Sequence, residues 1–362
     1  MNVYQRKLYA LMHHNHKDKG SNSIFRTLLC CKEDLDQLGN WWQQLVDQQE
    51  QSQVLPNAIA SSSDRVNLGA VINTESNDCQ VKHPISGQQH QIDFFNQDEK
   101  PNLGDIATEL DEKKVFWWLW RFYPEIRAKE YPNALLVPAH KILPDCPIHS
   151  YNSTVSALVG ALYPEDWQPG KSHEHPYLLL FTFSPVQEFI KASRKFLDFW
   201  AGSYLLHYLS VKLCWHIAQL YGPDSVITPS LWSQEIIDAL MIQEFDQPEV
   251  NDTIFRDTFQ QYSLDELDPV SRFDDNKSTS LSTAGFPNII TAVVPGKEAA
   301  ETLGKELTEK LTEEWKAIAD QVREHIKQKV ISWLKESQNQ QKREEILQDF
   351  SDADYQACQR DL

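Results

Sequence analysis

Tyr177-Leu178-Leu179-Leu180-Phe181-Thr182-Phe183, followed directly by Ser184-Pro185-Val186-Gln187-Glu188-Phe189-Ile190, is the stretch on which the fold turns. An apolar run this short falls below helix length and suits a strand buried on both faces. Ser184-Pro185 reads as a helix start, with Ser184 as N-cap and Pro185 in the first turn. Helical spacing continues through Phe189, Phe196, Trp200 and Leu206 toward Gly222, with a break expected near Gly202.

Just upstream, Gln168-Pro169-Gly170-Lys171-Ser172-His173-Glu174-His175-Pro176 is polar and turn-rich, which marks a domain boundary between residues 1–170 and 176–362. Downstream, strands are expected at Ser225 to Thr228 and at Asn288 to Val294, the latter rich in β-branched Ile289, Ile290, Val293 and Val294. A long charged amphipathic helix follows from Lys297 to about Ser337, and residues 245–284 read as a polar insertion. Strand, helix, strand, strand, helix is the order of a split βαβ, ferredoxin-like unit.

The first half reads as helical. Tyr4, Leu8, Leu11 and Met12 recur at helical spacing, an apolar helix lies around Val115 to Phe122, and Val155, Leu158, Val159 and Leu162 share one face of a helix ending near Pro164. Residues 70–114 carry few apolar anchors and suit long loops. The expected class is therefore α+β, a mainly α-helical domain followed by a ferredoxin-like one.

At 362 residues the chain exceeds the ~150 typical of one domain. A formal charge of -18 argues against free nucleic acid as a ligand, because phosphates are repelled unless a local basic patch or a neighbouring subunit compensates. The six cysteines include no C-x-x-C pair, and the adjacent Cys30 and Cys31 do not fit a disulfide framework, so reduced thiols in a cytoplasmic protein are expected. Met1 to Gly20 lacks the apolar core of a signal peptide, and no stretch reaches the ~18 apolar residues of a membrane span. A soluble protein without membrane contact follows, and no P-loop, zinc motif, catalytic triad or dinucleotide fingerprint occurs.

Ser184-Pro185-Val186-Gln187-Glu188-Phe189-Ile190, then Arg194-Lys195 and Asp198-Phe199-Trp200-Ala201-Gly202-Ser203-Tyr204-Leu205-Leu206, resemble the opening of the first palm domain in the Cmr-type large subunit of type III-B CRISPR effector complexes. Asp224-Ser225-Val226-Ile227-Thr228-Pro229-Ser230-Leu231 and Phe286-Pro287-Asn288 are similar to that family's next landmarks, in the same order. Weaker likeness extends upstream through Ala60 to Arg65, Lys82-His83-Pro84, Leu119-Trp120-Arg121-Phe122 and Ser153 to Leu162. The resemblance implies an HD-like helical domain over 1–170 and a polymerase-type palm over 176–362. It also implies a role in antiviral defence beside other complex subunits, CRISPR RNA and target RNA.

The family's second palm makes cyclic oligoadenylate from ATP with a Gly-Gly-Asp-Asp loop, whose carboxylates bind metal ions that clamp the triphosphate. No Gly-Gly pair occurs in this sequence, so the chain is expected to lack that palm and to supply scaffold and half of an ATP site, without turnover of its own. By resemblance the nucleotide side falls on Ser184, Gln187, Phe189, Ser193, Ser203 and Tyr204, whose hydroxyls and rings suit an adenosine. Capping by Ser184 and core packing by Phe189 and Tyr204 explain the same residues equally well.

In the HD-like domain the resemblance points to His13, His14, Asp64 and His149 as ligands for Mn²⁺, Ni²⁺ or Mg²⁺ in phosphodiester hydrolysis. The usual His-Asp pair reads His13-His14 here, with His16 and Asp18 close by, and Cys146 and Tyr151 stand where relatives carry histidines. A helical scaffold whose ligands have decayed is the favoured reading. Two alternatives are a free-standing HD phosphohydrolase or single-strand DNase, and a nucleotide-binding regulatory module without turnover. Trp41, Trp42, Trp117, Trp118, Trp120 and Phe122 could stack bases but more often form core. Arg194 and Lys195 suit a phosphate or an ordinary solvated helix face.

Overall fold

The computed structural model describes residues 1–12, 24–47, 55–62, 80–82, 85–91, 103–130, 132–139, 146–262, 266–274, 281 and 285–336. The chain divides into two compact units, Met1–Leu307 and Thr308–Leu362.

The first unit is mainly helical. It begins with α1 (Val3–Met12), α2 (Leu35–Asp47) and α3 (Leu55–Ser62), followed by a short antiparallel hairpin, β1 (Gln80–Lys82) and β2 (Gln89–Gln91). Next come α4 (Glu112–Glu130) and α5 (Ile148–Leu162). Helix α4 is the axis of the core. Its Phe116, Trp117, Trp118, Leu119, Trp120 and Phe122 are all buried, each contributing about 1.5–3 kcal/mol through area removed from water. Trp117 meets Trp215 edge-on at 5.1 Å, and Phe122 meets Phe259 at 4.6 Å. The indoles of Trp118 and Trp120 donate to Thr258 Oγ1 and Ser153 Oγ, both at 3.0 Å, so each polar edge is paired. The tryptophan cluster is core, and with it Trp41 and Trp42 are buried rather than offered to bases.

The second half supplies β3 (Pro176–Thr182), α6 (Val186–Lys191), α7 (Phe196–Tyr221), β4 (Val226–Thr228), α8 (Glu235–Phe245), α9 (Ile254–Tyr262), α10 (Pro269–Asp274), β5 (Ile289–Pro295) and α11 (Gly296–Glu336). The sheet order is β3-β5-β4, with β5 antiparallel to both neighbours. Pro176 pairs with Pro295 and Thr182 with Ile289 in an unbroken register, while the β4 pairing slips between Val226 and Thr228. Helix α5 packs on this sheet, and Ile290, Ala292 and Val294 of β5 are buried.

Several expectations change on this frame. Strand β3 is not buried on both faces: Leu178 and Leu180 are 70% and 65% exposed, because among the described residues helices cover the opposite side of the sheet. Ser184 is not the cap of α6. Pro185 holds that position, without a side-chain bond, and the helix begins at Val186. The chain breaks at Ala192 to Lys195 rather than near Gly202, which lies inside α7. The stretch 245–284 is more than a polar insertion, since α9 and α10 fall within it and Phe255 and Phe259 are buried. Asp246 accepts the Phe255 and Arg256 amides, each at 3.0 Å, and so satisfies the otherwise unpaired start of α9.

Two buried ion pairs tie distant segments of the first unit together. Lys7 of α1 meets Asp224, and Arg121 of α4 meets Asp238 of α8 through Nε and Nη2 at 2.6 and 2.8 Å. Burial opposes the Arg121 charge, but Asp238 and Glu125 outweigh it and hold the guanidinium above the usual arginine range. The second unit is described through the continuation of α11, where Lys310–Glu314 and Arg323–Asp320 pair along the surface. Among the described residues no helix is long and apolar enough to cross a membrane.

Candidate functional site

The corner where β3 gives way to α6 is built from two segments far apart in sequence. The side-chain amide of Asn288 donates to the Phe183 carbonyl at 2.9 Å, and the Phe183 amide donates to the Asn288 carbonyl at 3.4 Å. Ser184-Pro185-Val186-Gln187 therefore leaves the sheet directly beside Phe286-Pro287-Asn288, and the Ser184-Pro185 peptide is cis. Two of the sequence landmarks meet at one end of the sheet.

Helix α7 forms the floor under the second of these segments. Ser210 Oγ donates to the Pro287 carbonyl at 2.7 Å. His207 Nδ1 accepts two amides, those of Gly285 and Phe286, each at 3.0 Å. Tyr204 donates from its hydroxyl to the Leu281 carbonyl at 2.8 Å, and its ring stacks on Trp200 at 5.5 Å with an interplanar angle of 13°. Tyr204, His207 and Phe286 thus form a chain of ring contacts. Burial lowers the His207 pKa and raises that of Tyr204, so both rings favour the neutral form.

The expected nucleotide residues fall around this corner with different surroundings. Ser184 and Gln187 are exposed, while Ser193 and Ser203 are half-buried. Phe189 turns its ring toward α7, 3.5 Å from where a side-chain carbon on Gly202 would stand. Arg194 and Lys195 are exposed between α6 and α7, as are Phe196 and Trp200. Sequence reasoning passed over His207 and Ser210, which hold the Phe286-Pro287-Asn288 segment. Their signal was a histidine and a serine three residues apart on a mainly apolar helix, a pattern that does not distinguish a clamp from a satisfied core residue.

The expected metal ligands His13, His14 and Asp64 lie outside the described residues, as do His16 and Asp18. His149 sits at the start of α5 with its ring 5.0 Å from that of Trp232, and its Nδ1 is buried without a hydrogen-bond partner among the described residues. Burial lowers its pKa and favours the neutral imidazole. Among the described residues no group of three or more His, Cys, Asp or Glu is placed to hold a metal ion. Tyr151 bonds Ser61 Oγ at 2.9 Å and donates to the Asn57 carbonyl at 3.2 Å. A hydroxyl stitches α5 to α3 there.

Comparison with known proteins agrees with this geometry. Residues 178–320, which take in β4, β5 and all but the first two residues of β3, match the family described as CRISPR-associated protein Cmr2, N-terminal. The chain is 28% identical over 237 residues to the CRISPR system Cmr subunit Cmr2 of Pyrococcus furiosus, an alignment covering 58% of this chain and 22% of that protein. The cryo-EM structure of a type III-B Cmr-beta complex in the apo state contains a chain that aligns with a TM-score of 0.51 at 18% identity, over 80% of this chain and 29% of that one. Over residues 178–320 the chain is thus similar to the N-terminal region of the Cmr2 family. It spans less than a third of the length of either relative.

Proposed function

We propose that this chain acts as the HD-like and first-palm portion of a type III-B large subunit, contributing scaffold and one side of an ATP site for cyclic oligoadenylate synthesis. The observation that carries this reading is the sheet: β5 lies between β3 and β4 and runs antiparallel to both, as in a split βαβ unit, and the Ser184–Gln187 corner opens at its end beside Phe286-Pro287-Asn288. In such a unit the strand ends and their connecting corners carry the ligand-facing groups. Here Ser184 and Gln187 supply exposed polar groups, and Arg194 and Lys195 supply positive charge to meet a triphosphate.

The chain's charge of -18 fits this division of labour, because guide and target RNA would be held by more basic neighbouring subunits. The metal ions that clamp the triphosphate, and the carboxylates that hold them, belong to a second palm with a Gly-Gly-Asp-Asp loop, which this sequence does not contain. Metal binding by the HD-like part through His13, His14, Asp64 and His149 is a separate proposal and does not enter this site.

The test is reconstitution of the chain with the remaining subunits of a type III-B complex, guide RNA and target RNA, followed by ATP titration. Saturable ATP binding is expected, weakened about tenfold or more when Arg194 and Lys195 are both replaced by Ala, as charge-assisted phosphate contacts are worth about 1.5–3 kcal/mol each. Failure of the chain to enter the complex, or ATP binding indifferent to both the double variant and Gln187→Ala, would overturn the reading.

A further inference from the structure

His207 makes an unusual arrangement: one ring nitrogen receives two backbone donors, from Gly285 and Phe286. A lone pair is required at Nδ1, so the proton of the neutral ring sits on Nε2. That Nε2–H is buried and has no hydrogen-bond partner among the described residues, in a residue only 3% exposed. The ring is thus held in one tautomer at the expense of an unpaired donor, and the two amides are what fix it.

We propose that His207 is the positioning residue of the Ser184–Gln187 corner and makes it proton-sensitive. Neutral His207 fastens Gly285 and Phe286, which set Pro287 on Ser210 and Asn288 on Phe183, the residue that leads into Ser184. A proton on Nδ1 turns the acceptor into a donor facing two other donors. Both amide bonds are then lost together, and the segment is left with Ser210 and Asn288 as its remaining side-chain anchors. The rings against His207 are those of Tyr204, from its own helix, and Phe286, from the clamped segment. Tyr204 is the titratable one; its hydroxyl is engaged by Leu281 and stays protonated throughout the acid range. No carboxylate or cation among the described residues pairs with the imidazole, so nothing there stabilises an imidazolium, and the burial that lowers its pKa acts in the same direction.

The consequence for nucleotide binding rests on the reading above, whereas the clamp itself does not, and the experiment separates the two. Hydrogen exchange at the Gly285 and Phe286 amides is followed in the full chain at pH 7.5 and pH 5, with rates corrected for the intrinsic pH dependence. In the unaltered protein, protection of both amides is expected to drop about tenfold or more at the lower pH, the scale of one lost hydrogen bond apiece. His207→Asn keeps an acceptor near the Nδ1 position that takes up no proton, so protection should persist at both values. His207→Phe removes the acceptor, so protection should be low at both. Protection that ignores pH in the unaltered protein, or survives His207→Phe, overturns the clamp.

ATP affinity of the reconstituted complex at pH 7.5 supplies the second arm. His207→Phe should weaken it about tenfold, consistent with one lost positioning contact, and His207→Asn should restore it. Exchange behaving as described with no ATP bound by any form removes the nucleotide reading and leaves the clamp. ATP bound equally by all forms removes the positioning role.

Discussion

Lys7 Nζ stands 2.7 Å from Asp224 Oδ1, with side chains 1% and 0% exposed, and the pair fastens the first helix to the turn that launches β4. Lys7 also donates to the Tyr221 carbonyl and lies over the Phe116 ring at 5.0 Å. Burial pushes the lysine pKa down and the aspartate pKa up, and each partner offsets the other's penalty. The consequence is asymmetric. Removing one charge strands the other, whereas removing both does not.

Lys7→Met is therefore expected to cost about 3–5 kcal/mol of unfolding free energy, and Asp224→Leu a similar amount. The double variant should recover most of that loss, with coupling on the order of several kcal/mol. Urea unfolding of the four proteins measures it; additive single effects would contradict the pairing.

Two glycines should respond in opposite ways. Gly222 has φ of 93°, and a side-chain carbon there would stand 2.5 Å from Lys7 Nζ and 2.6 Å from Asp224 Oδ1. Gly222→Ala should destabilise by more than about 1 kcal/mol, from the backbone conformation alone and further from the collision. Gly202 lies within α7 and would meet Phe189 at an ordinary 3.5 Å, so Gly202→Ala should stabilise by up to about 1 kcal/mol through helix propensity. Thermal unfolding midpoints moving apart in these directions check both.

Arg121 and Asp238 form a two-pronged contact that lysine cannot reproduce. Arg121 also packs over the Trp232 and Phe259 rings, and its backbone carbonyl accepts the Trp232 indole at 3.2 Å. Arg121→Lys should cost about 1.5–3 kcal/mol despite keeping the charge, measured by chemical denaturation. A loss under 0.5 kcal/mol, the scale of an ordinary surface change, would argue against the fork.

His149 and His207 share a direction of pH response. Both have folded pKa values below the ~6.5 of the unfolded chain, so the unfolded state takes up protons first as pH falls. Their contribution is fully present above pH ~6.5 and is lost as pH drops through their folded values. Urea midpoints at successive pH values should decline on this side, and His149→Gln should remove part of the slope. A slope unchanged by that substitution would place the proton uptake elsewhere.

The amino-acid order alone was enough to locate the long elements. Apolar periodicity marked α4, α5 and α7, β-branching marked β5, and the charged pattern from Lys297 closely matched α11 (Gly296–Glu336). These signals are local, arising from side chains a few residues apart on one face. The ordering of strands and helices was sufficient to anticipate an α+β chain with strands in this sequence. The quoted landmarks likewise marked both segments of the corner, since each carries its own distinctive run.

Folding in three dimensions decided what those runs do. The exposure of Leu178 and Leu180 depends on which face of the sheet the helices cover, and nothing within β3 encodes that choice. Nothing in the residues around Asp224 announces that Lys7, 217 positions earlier, comes to lie beside it. His207 reads as a core histidine until Gly285 and Phe286 point their amides at it. Each of these depends on charge or hydrogen-bond complementarity between segments that meet only when the core closes. No periodicity carries that information, because burial sets the worth of a polar group through partners that sequence distance does not reveal.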